Sequence, residues 1–154
     1  SFKAFLAKQS LKVLEYHNNR FLKDMGSYLV IKIEGFKTLA NGDLREDITT
    51  KIIRKTERNF NSFSGGERGR LLFASILTNR FMINSTHKYG GLDFLSIDEV
   101  FEGVDALGIS QIVNSAKSLN ITVLIISHVV NQNADEDTLY IIKENDFSKI
   151  SKKR

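Results

Sequence analysis

The 154-residue sequence predicts an α/β fold: a parallel sheet with flanking helices, preceded by a long helix of coiled-coil type and a small β segment. Two apolar runs, Leu92 to Ile97 and Ile121 to Ser127, flank a helical stretch, and continuously apolar strands joined by a helix pair in parallel with a right-handed crossover. Residues 2–25 contain neither proline nor glycine and carry a heptad stripe. Between these two regions the pattern alternates as β-structure does.

The stripe consists of Ala4, Ala7, Leu11, Leu14, Asn18, Phe21 and Met25, at alternating spacings of three and four. Phe2, Phe5, Leu6 and Val13 fall outside it, so the helix is apolar over more than a coiled-coil seam: it either docks on a globular core as well or, as the periodicity alone equally allows, is an ordinary core helix. Gly26 should end it. Tyr28 to Glu34 then alternates as a strand, Asn41-Gly42 reads as a turn, and Ile48 to Arg54 reads as a second strand, giving a hairpin or small antiparallel sheet. Residues 65–83 are helical with an apolar face, and a polar loop with Gly90-Gly91 leads into the first buried strand. Ala106 to Leu119 forms a helix entered from Asp105. After the second buried strand and a polar segment holding Asp135, Glu136 and Asp137 comes a last strand, Thr138 to Lys143. The division expected is 1–25, the end of a coiled-coil helix, and 26–154, the lobe itself.

Apolar residues make up 42% and charged residues 26%, which fits a globular chain and excludes collagen-like, low-complexity and disordered classes. Without cysteine there is no disulfide framework, thiolate zinc site or cysteine nucleophile. No apolar run approaches the roughly 20 residues of a membrane span, and the amino terminus lacks a signal-peptide pattern. The expectation is a soluble intracellular protein of cytoplasm, nucleoid or nucleus with no membrane partner. Ser1 opens in mid-helix, which suggests an excised piece of something longer. The net charge of +4 is uneven: residues 1–60 carry twelve basic against seven acidic residues, residues 61–154 ten against eleven, with Lys152, Lys153 and Arg154 at the very end. A basic first third suits phosphate, or merely a solvated surface.

Asp98 and Glu99 follow Phe94-Leu95-Ser96-Ile97, so both carboxylates emerge at the carboxyl end of a parallel strand, where open α/β sheets bind ligands. An aspartate there can hold magnesium, directly or through water, and the next glutamate can orient or deprotonate a water, although the dipeptide by itself equally fits a solvated pair at a strand end. Ser127-His128 closes the next strand, so a histidine also projects at the carboxyl edge, near the carboxylates if the two strands are neighbours; a structural histidine is the alternative. His17 and His87 read as structural or surface residues. Ser64-Gly65-Gly66-Glu67 opens a long helix: serine with glutamate three residues later is a capping box. The two glycines weaken a first turn and leave bare backbone beside exposed amides, as an anion site requires. Both readings of this tetrad stand at this point.

Order and spacing join these signals. Phe63-Ser64-Gly65-Gly66-Glu67-Arg68 resembles the ABC-type signature motif, Phe94 to Glu99 a Walker B strand, Glu102-Gly103-Val104-Asp105 the D-loop and Ser127-His128 the switch histidine. The resemblance covers residues 60–143 and implies the carboxyl-terminal lobe of an ABC-type P-loop ATPase head. Glu67 in place of the usual transporter glutamine, with a heptad helix running into a small β segment, resembles the SMC-like double-strand-break repair and recombination branch of the SbcC kind. Phe63, Val100 and Val104 depart from the common leucine, proline and leucine.

The resemblance implies ATP and magnesium as ligands. Asp98 would help hold the metal, Glu99 would activate water, and His128 would contact the γ-phosphate. Ser64, Gly65 and Gly66, with Glu67 in the same motif, would meet a nucleotide held by the opposite head, and Asp105 would sit at the dimer seam. It also implies a second head as homodimer, a nuclease subunit and double-stranded DNA as partners. No Gly-Lys dipeptide exists in the chain, so it contains no Walker A loop; an amino-terminal half would have to supply one. A chromosome-structural SMC head and a non-hydrolysing dimerisation module are the rival readings, and a transporter subunit is disfavoured by Glu67 and the heptad helix.

Overall fold

The computed structural model describes residues 2–38, 40, 44–88, 91–99, 101–119, 121–128, 138–144 and 147–152. The expected Asn41-Gly42 turn, Gly90, Val100, the acidic segment 135–137, and Lys153 with Arg154 lie outside these residues.

Helix α1 (Phe2–Asp24) ends as Gly26 predicts. Gly26 adopts φ +67°, its N–H donates to Lys23 O, and Ser27 N–H donates to Leu22 O, the paired bonds of a Schellman cap. Every residue of the heptad stripe is buried or half-buried, whereas Phe5, Leu6 and Val13 are exposed. At its carboxyl end α1 enters the main core through Leu22 and Met25. It also covers the free edge of β1 (Val30–Thr38): the Asn19 side chain bonds both N–H and O of Ile31 at 2.8 Å, and Glu15 accepts from Ile33 N–H at 2.7 Å. Such cover spares the strand an open row of backbone groups.

β1 pairs antiparallel with β2 (Leu44–Arg54), which pairs with β3 (Thr56–Arg58), so the small antiparallel sheet has three strands, longer than the alternation alone indicated. The β1–β2 register shifts around Gly35, where a side chain would run into Leu11 of α1, so the bulge lets helix and sheet pack closely. A short 3₁₀ turn, Phe60–Ser62, leads to α2 (Gly65–Thr86). α2 buries Leu71, Phe73, Ala74 and Leu77, and Ser75 Oγ donates to Asn18 of α1. His17 is indeed structural: it is buried on α1 and stacks on Phe81 at 3.8 Å, and burial, reinforced by Arg20, lowers its pKa. His87 is exposed.

β4 (Phe94–Asp98) and β5 (Thr122–Ile126) pair in parallel, joined through α3 (Ala106–Lys117), as the strand–helix–strand pattern requires. The expectation that both strands are buried needs correction. Leu95, Ile97, Val123 and Ile125 face the core, while Phe94, Leu124 and Ile126 on the other face are 53%, 48% and 45% exposed. The apolar runs fit a sheet covered on two sides, but the described residues cover one. The last strand, β6 (Leu139–Glu144), forms a separate antiparallel hairpin with β7 (Phe147–Lys152). The fold is thus mixed, a parallel pair accompanied by antiparallel strands.

Candidate nucleotide site

The carboxyl ends of β4 and β5 bring Asp98, Glu99 and His128 to one edge. In the parallel register Asp98 pairs with Ile126, and Glu99 N–H donates to Ile126 O at 2.9 Å, continuing the ladder one residue past the strand. Glu99 then turns into the left-handed region, φ +53°, which is uncommon for a residue other than glycine and costs backbone energy. That turn carries its carboxylate to 3.1 Å from His128 Nε2. His128 itself stands 93% exposed. The expected meeting of a carboxylate with the next strand's histidine is therefore present. Among the described residues no group of three or more His, Asp or Glu side chains could hold a metal ion by itself. Asp98, an exposed carboxylate at the strand end, fits magnesium nonetheless, since that ion takes one or two protein carboxylates and completes its shell with water and substrate phosphates.

The amino terminus of α2 is built around its capping box. Ser64 Oγ accepts from Glu67 N–H at 3.3 Å, and Ser64 N–H donates to Glu67 Oε2 at 3.0 Å. Ser64 is exposed, and its hydroxyl also interacts with the Glu67 carboxylate. Glu67 is buried. Its other oxygen, Oε1, accepts from the Tyr28 hydroxyl at 2.9 Å and lies 3.0 Å from the Arg54 guanidinium. Burial opposes ionisation, but the Ser64 N–H, the Tyr28 hydroxyl and Arg54 together outweigh it and hold the Glu67 carboxyl below the usual carboxylate range.

Gly65 has a steric reason. A Cβ there would sit 2.5 Å from Gly103 O, with Gly103 in turn at φ +67°. Glu99 and Gly103 are four residues apart, so at most about 14 Å of chain separates the strand-end carboxylates from the turn that supports α2. Asp105 caps α3 by accepting from Gly108 N–H at 2.8 Å. Arg70 joins the two helices: its guanidinium bonds Gln111 Oε1 at 2.7 and 3.2 Å and Gly66 O at 3.2 Å, and lies 3.9 Å from Asp105. The structure thus brings Ser64, Gly65, Gly66 and Glu67 together with Gly103 and Asp105, and separately Glu99 with His128. Tyr28, Arg54 and Arg70 escaped the sequence reading. The first two meet Glu67 across long sequence separations and leave no local pattern, though a capping-box glutamate at a buried position does call for further partners.

Comparison with protein-family models and with curated proteins finds no match. Solved structures do match. The chain is similar to an Smc head bound to the C-terminal winged-helix domain of ScpA, with a TM-score of 0.67 at 11% identity, over 94% of this chain and 43% of that one. A structure from work on ATP-driven dimerisation and DNA-stimulated activation of SMC ATPases superposes with a TM-score of 0.66 at 15% identity, over 97% of this chain and 88% of that one. An Smc head domain with an extended coiled coil, bound to the C-terminal domain of ScpA and derived from Pyrococcus furiosus, gives a TM-score of 0.61 at 13% identity, over 94% and 35%. The chain spans less than half the length of the first of these. What it shares with them is a fold, the mixed α/β fold of SMC head domains.

Proposed function

We propose that this chain is the carboxyl-terminal lobe of an SMC-like ATPase head that hydrolyses ATP in a composite site made when two heads close. The observation that carries the reading is the Glu99–His128 contact, at the strand edge where a nucleotide's terminal phosphate would be met, made by a backbone turn that costs energy. In this reading Glu99 orients the attacking water and takes its proton. His128 holds the γ-phosphate oxygens, and Asp98 holds magnesium. Bound there, the ion would offset charge on the β- and γ-phosphates. Ser64, exposed at the helix mouth, and the bare backbone of Gly65 and Gly66 would contact the γ-phosphate of the opposite head's nucleotide. Asp105 would lie at the seam. Since the residues of each site come from two heads, ATP closes the dimer and hydrolysis opens it.

A lobe without a phosphate-gripping loop needs an amino-terminal half to complete it. The uncovered apolar face of β4 and β5 supports this, because Phe94, Leu124 and Ile126 would be sheltered by such a half. The Glu67 signature and the heptad helix support the SbcC-like branch, with a nuclease subunit and duplex DNA as partners and an intracellular setting. A chromosome-structural head is the second reading, favoured by the two Smc neighbours bound to ScpA. No helix among the described residues is long and apolar enough to cross a membrane. Co-expression with the amino-terminal half tests the proposal. The halves should copurify and turn over ATP, with Glu99→Gln reducing turnover about 10²-fold or more while ATP still binds; robust turnover by this chain alone would overturn it.

A further inference from the structure

We infer that Glu67 acts as a positioning residue: with Tyr28 and Arg54 it fixes the Ser64 turn in the orientation needed to meet a phosphate, and does not itself touch nucleotide. The inference rests on the proposed ATP-driven head dimer. Both carboxylate oxygens are engaged within the chain, Oε2 by Ser64 N–H and Oε1 by the Tyr28 hydroxyl and Arg54. The three anchors come from three places: the mouth of α2, the segment between α1 and β1, and the last residue of β2. Arg54 also lies over the Tyr28 ring, 5.0 Å from its centroid, so the two groups that hold Glu67 hold each other as well.

A capping box alone fixes the helix end relative to itself. The additional bonds fix it relative to the antiparallel sheet, and a serine that must reach across an interface gains from every constraint that removes alternative orientations before contact. Helix formation needs neither Tyr28 nor Arg54, since capping is complete between Ser64 and Glu67. Both help hold the buried Glu67 carboxylate ionised, so their loss should lower stability modestly and, in addition, weaken dimer closure while single-head ATP affinity is kept.

The test uses the assembled head in a Glu99→Gln background, so that ATP is bound and not consumed. Tyr28→Phe removes the hydroxyl and keeps the ring; Arg54→Gln removes the charge; Arg54→Lys restores it without the guanidinium plane. ATP affinity of the single head, the ATP-dependent dimerisation constant and the melting temperature are measured for each, with Ser64→Arg as control. Dimerisation should weaken about fivefold or more in Tyr28→Phe and Arg54→Gln and recover partly in Arg54→Lys, with single-head ATP affinity unchanged within about twofold. The double variant should fall short of the product of the singles, since both act on one carboxylate. Dimerisation equal to the parent in both single variants, with Ser64→Arg abolishing it, would overturn the inference and leave the head assignment standing. Dimerisation that survives Ser64→Arg would overturn the assignment, and the inference with it.

Discussion

The two glycines of the α2 mouth should respond oppositely to alanine. At Gly65 the added methyl would meet backbone, Gly103 O at 2.5 Å and Gly103 C and Cα at 2.8 Å, and neither side can yield by rotating a side chain. Overpacking of this kind costs about 1–3 kcal/mol, against which a helical Gly→Ala exchange returns at most about 1 kcal/mol. A net loss of about 1–2 kcal/mol lowers the melting temperature of a chain this size by roughly 2–8 °C. At Gly66 the methyl would meet Arg70 Nη1 at 3.3 Å, the far end of a flexible side chain, and Val104 Cα at 3.9 Å. Gly66→Ala should therefore match or slightly exceed the parent in stability. Thermal unfolding of the parent and the two variants by circular dichroism decides the matter. A Gly65→Ala protein as stable as the parent, or a Gly66→Ala protein less stable than Gly65→Ala, would refute the close approach of the α2 mouth to the Gly103 turn.

Two further expectations concern charge. Because the folded pKa of Glu67 is depressed, its contribution to stability is present above the ordinary glutamate value near 4.5 and is lost as pH falls through the folded value; urea unfolding from pH 7 to pH 3 should show this acid loss, and Glu67→Gln should flatten it. Lys8, Lys12, Arg20 and Lys23 are all exposed and fall within about 120° of the α1 surface at 100° per residue. If the closed head carries duplex DNA on this face, Lys8→Glu, Lys12→Glu and Arg20→Glu together should weaken binding and cut the salt slope by up to about 3, with ATP binding unchanged; equal affinities at low salt would remove α1 from the DNA path.

What the sequence disclosed was local. The Ser64–Glu67 box, the Asp105 cap, the Gly26 stop and the heptad face of α1 each depend on residues within a few turns of one another, and the structure has them all. The parallel pairing of β4 and β5 follows from two apolar runs around a helix. The open face of that pair could not be read, because a strand's composition records that both its faces are apolar and not which chain covers them. β7, with Phe147 and Ile150 as its large apolar residues among lysine and serine, lacks the alternation that marks a strand and owes its form to pairing with β6. The Tyr28–Glu67 and Arg54–Glu67 contacts, like that of Arg70 with Gln111, are products of tertiary packing.

Light scattering of the head assembled from this chain and its amino-terminal half, carrying Glu99→Gln, tests the central claim most directly. With ATP and magnesium its mass should double, and without ATP it should not. Adding Ser64→Arg should return it to the single-head mass while ATP still binds, since a bulky side chain would fill the phosphate position at the α2 mouth. A mass indifferent to ATP would contradict the account of this chain as a lobe of an ATP-closed head.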